Sequence, residues 1–141
     1  MERTLTIIKP DAVARGKTGA IIQHLEAAGF TVRAARLAKL SMPEAKAFYA
    51  VHKDRPFYQS LCTFMTSGAC LPMVLERDNA VEHLRTVVGA TDPAEAANGT
   101  VRKLFAESKE RNAIHASDSL DNAAREALFF FPESELERLW G

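Results

Sequence analysis

Thr4 to Ile8 is an apolar, β-branched run that stops at Lys9-Pro10-Asp11, the pattern of a buried strand that delivers a lysine at its end. From Thr18 the apolar positions Ile21, Ile22, Leu25 and Ala28 recur at helical spacing with Gly29 behind them, which predicts an amphipathic helix and its cap. Phe30, Val32 and Ala34 then alternate with Thr31, Arg33 and Ala35, the period of a half-buried strand running towards Leu40. Ser41-Met42-Pro43-Glu44 has capping-box spacing and opens a helix through Ala45, Phe48 and Val51 that carries Tyr49. Lys53-Asp54-Arg55-Pro56 ends it, and Phe57 to Thr66 predicts a second helix with Leu61, Phe64 and Met65 turned inward.

Cys70 to Leu75 reads as a third strand, with Pro72 favouring its start or a bulge because proline cannot donate to a ladder. Asp78 is placed to cap a helix with Val81, Leu84 and Val88 inward, Arg85 beside that stripe and Gly89 at its end. Gly89 to Ile114 is poorly periodic, and only Asp92-Pro93-Ala94-Glu95 is shaped for a helical turn. Ordered loops of that length in compact domains are disproportionately functional. A short helix from Ser119 is expected to lead into a last strand, Glu126-Ala127-Leu128-Phe129-Phe130-Phe131, with Glu126, Leu128 and Phe130 on one face. Glu133 to Trp140 reads as helix. This order of elements is that of the ferredoxin-like βαββαβ arrangement, an α+β fold whose four-stranded antiparallel sheet is covered by helices. Because that fold hosts many functions, chemistry has to be argued from side chains.

The 141 residues, 47% hydrophobic and 26% charged, suffice for one core and not for two, so 1–141 is expected to be a single domain. Lys plus Arg and Asp plus Glu number 18 each, which leaves no net charge to favour nucleic acid or a membrane surface. Met1-Glu2-Arg3 runs straight into the first strand without a signal-peptide pattern, and no run of ~18 apolar residues occurs, so a cytoplasmic protein is expected. Cys62 and Cys70 lack C-x-x-C spacing and a matching histidine pair and read as buried free thiols.

Asn112-Ala113-Ile114-His115-Ala116-Ser117-Asp118-Ser119 sets one imidazole among hydrogen-bonding side chains with no metal-ligand spacing. Neutral imidazole is available as a nucleophile near pH 7 and carries covalent intermediates in two-step transfer. Ser117, Asp118 and Ser119 supply a nearby hydroxyl and a start for the next helix. Lys9, Arg55, Arg85 and Arg102 are candidate partners for phosphoryl oxygens, although each alone reads as a solvated surface cation. Phe57 alone reads as core packing, and Glu126 alone as a strand-edge charge paired with Arg125 or solvent.

The histidine segment, Ile8-Lys9-Pro10-Asp11-Ala12-Val13, Phe48-Tyr49, Lys53-Asp54-Arg55-Pro56-Phe57, Gly89-Ala90-Thr91-Asp92-Pro93 and Gly99-Thr100-Val101-Arg102 together resemble the nucleoside diphosphate kinase family, collinearly over nearly the whole chain. The resemblance implies ping-pong transfer of the γ-phosphate of a nucleoside triphosphate, typically ATP, to a nucleoside diphosphate through a pros-phosphohistidine at His115. It implies broad base specificity and a role in maintaining NTP and dNTP pools. In the family pattern Arg85, Thr91 and Arg102 contact phosphates, while Lys9 and Asn112 reach sugar hydroxyls and phosphate. Tyr49 and Ser117 support the site, Glu126 orients the imidazole, and Phe57 stacks on the base, a contact indifferent to base identity. Mg²⁺ is implied as an ion held by the nucleotide phosphates with no direct protein ligand. A homo-oligomer, tetramer or hexamer, is implied as well, since one face of a four-stranded sheet often remains to be covered.

The chain departs from that pattern at Ala69 for a proline, Arg77 for a glycine, Leu104 for an aspartate, Ala116 for a glycine, and Lys109 for the apolar residue that covers the other face of the base. Gly16-Lys17-Thr18 resembles the end of a P-loop, but Asp11 stands where the first glycine belongs, which excludes that motif. Two rival readings share the element order. An RNA-binding module would use Gly16-Lys17-Thr18-Gly19 as a G-x-x-G loop, against which stand the balanced charge and a third strand without exposed aromatics. A regulatory domain would make His115 structural, and a phosphohistidine would exclude it.

Overall fold

The computed structural model describes residues 1–140. Four strands, β1 (Glu2–Ile8), β2 (Thr31–Ala35), β3 (Leu71–Arg77) and β4 (Ile114–Ala116), form one sheet in the order β2-β3-β1-β4 with every neighbour antiparallel. Between and after them run α1 (Pro10–Ala14), α2 (Thr18–Ala27), α3 (Met42–Phe48), α4 (Tyr58–Met65), α5 (Ala80–Val88), α6 (Val101–Phe105), α7 (Leu120–Phe130) and α8 (Glu133–Trp140). This is the expected ferredoxin-like arrangement. β1 is central: Ile7 lies opposite Pro72 on one side and His115 on the other.

Alternation along β1 sends Leu5 and Ile7 into one core and Ile8 into another. The first core gathers Ala34, Val74, Phe48, Met65, Phe130, Phe131 and Leu136, so it is roofed by α3, α4, α7 and α8. The second gathers Met73, Leu75, Ile21, Leu25, Leu84 and Val101 under α2, α5 and α6. Each fully buried aliphatic side chain contributes about 1.5–3 kcal/mol. Both sheet faces are thus covered within one chain, which removes the uncovered face as an argument for assembly.

Glu126 to Phe131, expected as the last strand, is instead the end of α7 and its first following residue. Ser119 caps this helix by accepting the Asn122 N–H at 3.1 Å, and Ala123, Glu126 and Phe130 share its buried side at helical spacing. The aromatic run favours strand, but Ala123, Ala124 and Ala127 and the packing of α7 on β1 decide for helix. The fourth strand is Ile114–Ala116, paired with Thr6 to Ile8.

Three smaller expectations also change. Asp78 does not cap α5: Asn79 precedes it at φ +53°, and Glu2 Oε1 reaches across from β1 to accept the Val81 N–H at 2.9 Å. Tyr49 ends α3 and starts a 3₁₀ turn, Ala50–His52, in which Val51 is 63% exposed and not inward. Lys9-Pro10-Asp11 is not only a turn, since Pro10 opens α1 at the position where its missing N–H would have had no helical partner anyway. The Ser41–Glu44 capping box is present as read. Arg77 is used by the fold: Nη1 donates to the Ala28 carbonyl at 2.7 Å and the guanidinium lies over the Phe30 ring. Cys62 and Cys70 are buried and free. No helix among the described residues is long and apolar enough to cross a membrane.

Candidate active site

β4 holds His115 opposite Ile7, and the Thr6 hydroxyl donates to the His115 carbonyl at 2.7 Å. From this strand the chain turns into α7, which brings Glu126 back over the imidazole. Nε2 of His115 lies 2.6 Å from Glu126 Oε1, and Ser117 Oγ donates to the same oxygen at 2.8 Å. The second carboxylate oxygen is 3.5 Å from Arg125, so the pairing expected of a lone Glu126 occurs beside the imidazole bond. A carboxylate can only accept, so Nε2 carries the hydrogen and the lone pair resides on Nδ1, an assignment made from the bonding pattern. Phe48 and Tyr49 meet the ring edge-on at 5.4 and 6.1 Å. Burial pushes the imidazole below its ordinary value despite the pull of Glu126, with Lys9 and Arg102 adding to the lowering.

Of the candidate cations Lys9 is buried and Arg102 half-buried, both bonded within the fold, whereas Arg85 and Arg55 are exposed. Lys9, 6% exposed at the end of β1, donates from Nζ to Asn112 Oδ1 at 2.9 Å; burial first and Arg102 second bring it down to about 8. Asn112 in turn donates to the Lys109 carbonyl at 3.1 Å. Arg102, in the first turn of α6, donates to the carbonyls of Gly89 at 3.0 Å and Ile114 at 2.7 Å, and its buried Nε has no partner among the described residues. Burial, then Arg85, lowers it to about 10, so it stays charged at neutral pH. Gly89 is required where it stands: its φ is +90°, and a Cβ there would lie 2.6 Å from Thr100 Oγ1, the hydroxyl that caps α6.

These side chains border a cleft of two lobes. One, of about 620 Å³, takes in Arg85, Thr91, Arg102, His115 and Asp118. The other, of about 520 Å³, takes in Lys9, Phe57, Lys109 and Asn112. Tyr49, His52, Thr91, Arg102 and His115 border both, so the imidazole stands where the lobes join. Volumes of this size suit small-molecule ligands. Phe57 is 46% exposed and faces the second lobe, which overturns core packing. Tyr49 is buried with its hydroxyl unpartnered among the described residues, and burial followed by Glu126 pushes the phenol up. Ser117 is wholly buried and borders neither lobe; it reaches the imidazole through Glu126. Arg55 is exposed and outside both lobes. His52 was not singled out from the sequence, yet it borders both lobes, 6.5 Å from the Tyr49 ring and 5.4 Å from Phe57. Its spacing of three residues from Tyr49 was the available signal.

A sequence model described as nucleoside diphosphate kinase matches residues 2–136. The chain belongs to the nucleoside diphosphate kinase family. The nucleoside diphosphate kinase of Chlorobium chlorochromatii is 60% identical over 138 residues, covering 98% of this chain and 99% of that protein. That of Salinibacter ruber is 49% identical over 135 residues, covering 96% and 95%. The crystal structure of the Aquifex aeolicus nucleoside diphosphate kinase superimposes with a TM-score of 0.93 at 41% identity, over 95% of this chain and 97% of that one. The Encephalitozoon cuniculi nucleoside diphosphate kinase gives 0.92 at 32% identity over 96% and 92%.

Against the nucleoside diphosphate kinase pattern, two departures border the cleft: Lys109 in the lobe with Phe57 and Ala116 in the lobe with Arg85. Leu104 is 55% exposed and lies outside both lobes. Nothing in the structure explains Ala69.

Proposed function

We propose that this protein is a nucleoside diphosphate kinase working by ping-pong transfer, with Nδ1 of His115 as the nucleophile. The carrying observation is the imidazole at the junction of the two lobes, its Nε2 bonded to Glu126 and its lone pair on Nδ1, beside Arg102. In the first half-reaction the Nδ1 lone pair forms the N–P bond as the bond between the γ-phosphorus and the β,γ-bridging oxygen breaks, and the electron pair leaves with the nucleoside diphosphate. In the second, a terminal oxygen of an acceptor diphosphate attacks the pros-phosphohistidine and the N–P electrons return to Nδ1. ATP is the typical donor and any nucleoside diphosphate the acceptor, which maintains the NTP and dNTP pools.

Phosphoryl transfer asks mainly for position and for charge around the equatorial oxygens. Arg85, Thr91 and Arg102 would hold the phosphates, Lys9 and Asn112 the sugar hydroxyls and phosphate, and Phe57 the base. Tyr49 braces the imidazole with its ring edge. Glu126, steadied by Ser117, offsets the positive charge that the ring gains on bonding phosphorus. Mg²⁺ belongs to the substrate here, bound by phosphates and water. Asp118, whose carboxyl is held below its ordinary value by Asn122, borders the phosphate lobe and would face the water of such an ion.

The same reading makes residues 1–141 one cytoplasmic domain that assembles as a tetramer or hexamer. Exposed Leu120, Leu128 and Phe129 on α7 support an assembling surface. The function is tested by intact-mass analysis after incubation with Mg-ATP. One acid-labile phosphate is expected on the parent and none on His115→Ala, and excess GDP should discharge it as GTP. An adduct that persists in the alanine variant, or none on the parent, would leave a binding domain built on the kinase fold.

A further inference from the structure

We propose that Asp11 is a positioning residue for His115, its buried carboxylate holding Ala113 in the left-handed turn that sets Asn112 against Lys9 and starts β4 in register. The inference rests on the kinase reading of His115.

Ala113 has φ +72°, a region that residues with a Cβ seldom enter, and it is fully buried. The Ile114 N–H bonds to the Asn112 carbonyl at 2.9 Å, closing a tight turn around Ala113 of the kind that is rare because it is strained. Its two own backbone groups are both tethered by the segment after β1. Asp11 Oδ2 accepts the Ala113 N–H at 3.1 Å, and the Lys9 N–H donates to the Ala113 carbonyl at 2.8 Å. Asn112, on one side of the turn, is the partner of Lys9; His115 directly follows Ile114, on the other side. Strain of this sort persists only where the surroundings over-determine it.

Oδ1 of Asp11 is buried without a partner among the described residues, while Oδ2 serves both the Ala113 N–H and the Arg15 ion pair. Asp11 is 1% exposed and borders neither lobe of the cleft, so it acts on the reaction only through what it holds. Arg15, one helical turn on, stands 3.7 Å from the same oxygen and also bonds the Phe105 carbonyl and Glu107. α1 therefore clamps the end of α6 and the turn before β4 together. A buried carboxylate is costly unless its bonds are fixed, and here the fixed bond is to the one strained residue of the histidine loop.

The test compares Asp11→Ala, Asp11→Asn, Ala113→Gly and the double variant Asp11→Ala/Ala113→Gly. Single-turnover phosphohistidine formation from Mg-ATP is measured together with urea stability and amide exchange at Ala113. Losing a buried charge-assisted bond should slow Asp11→Ala by roughly 10- to 100-fold. Asp11→Asn keeps an acceptor oxygen and should stay close to the parent. Ala113→Gly should restore most of the rate to the double variant, because glycine takes the left-handed turn without a tether. Faster Ala113 exchange in Asp11→Ala, with Leu5 still protected and phosphohistidine formation slowed, would support the inference. A parent-like rate in Asp11→Ala, unchanged Ala113 exchange, or recovery of urea stability in the double variant without recovery of rate would each overturn the inference. Absence of phosphohistidine on the parent would instead strike at the kinase reading, with the exchange arm still deciding whether Asp11 holds the turn.

Discussion

His115 Nε2 and Glu126 Oε1 stand 2.6 Å apart across the join between β4 and α7, so a helix side chain decides which nitrogen of a strand side chain is free to react. Glu126→Ala should lower kcat by about 10²–10³-fold with little change in KM, as removal of an interaction that strengthens in the transition state does. Glu126→Gln retains an acceptor and should lose less. Steady-state transfer from ATP to a nucleoside diphosphate separates the two constants, and a change confined to KM would contradict the assigned role.

Two buried bases set the pH profile. Lys9, brought down to about 8 by burial, is a cation below that pH, so kcat/KM for a nucleoside diphosphate should decline as pH rises past about 8. Stability runs the other way: in the unfolded chain the lysine stays protonated towards 10.5, so between about 8 and 10.5 the folded state binds fewer protons and this group adds stability as pH rises. On the acid side, a depressed His115 keeps the imidazole neutral, and phosphohistidine formation should hold steady down to its ordinary value of 6.5 and fail only below it. Rates and urea midpoints across pH 5 to 10 check both limbs.

Gly89→Ala should cost about 1–3 kcal/mol of stability, because it combines a positive φ with a Cβ driven onto Thr100. Since the Gly89 carbonyl and the Thr100-capped helix both position Arg102, the variant should also raise KM for nucleotides. Urea denaturation and kinetics below the melting range measure the two effects separately.

Phe57→Ala should weaken nucleoside diphosphates by about 1–3 kcal/mol, nearly equally for purines and pyrimidines, because a stacking surface does not read base edges. Calorimetry with ADP, GDP, CDP and UDP on a His115→Ala background tests this. A loss confined to one base would mean that Lys109 or Glu110, which border the same lobe, reads the base edge.

The candidate site was legible through the resemblance and not through periodicity, since Lys9, Arg85 and Arg102 each read alone as solvated cations and Phe57 as core packing. Glu126 was assigned its partner on the wrong element: Phe129 to Phe131 favour strand locally, and only packing on β1 reveals the helix. The switch leaves Glu126 able to reach Nε2, since a residue at helical spacing on a buried face can point at β4 as well as one on a strand. α1 and α6 escaped because each is five residues long, too short for a period to show. Ala113 carries no local mark of its left-handed backbone, for which a glycine or asparagine would have been the usual signal.

β1 ties His115 and Lys9 to one central strand whose residues from Thr4 to Ile8 are sealed from water. Strands of that kind are the last segments of a fold to open, while loops and helix ends fray well before them. The proposed nucleophile sits on β4, an edge strand of three residues that is held to this core by its pairing with Thr6 to Ile8. Heating should therefore loosen Thr91 and Phe57, which stand on loops, before the strand pairing that holds His115, so that nucleotide binding weakens while the sheet still stands.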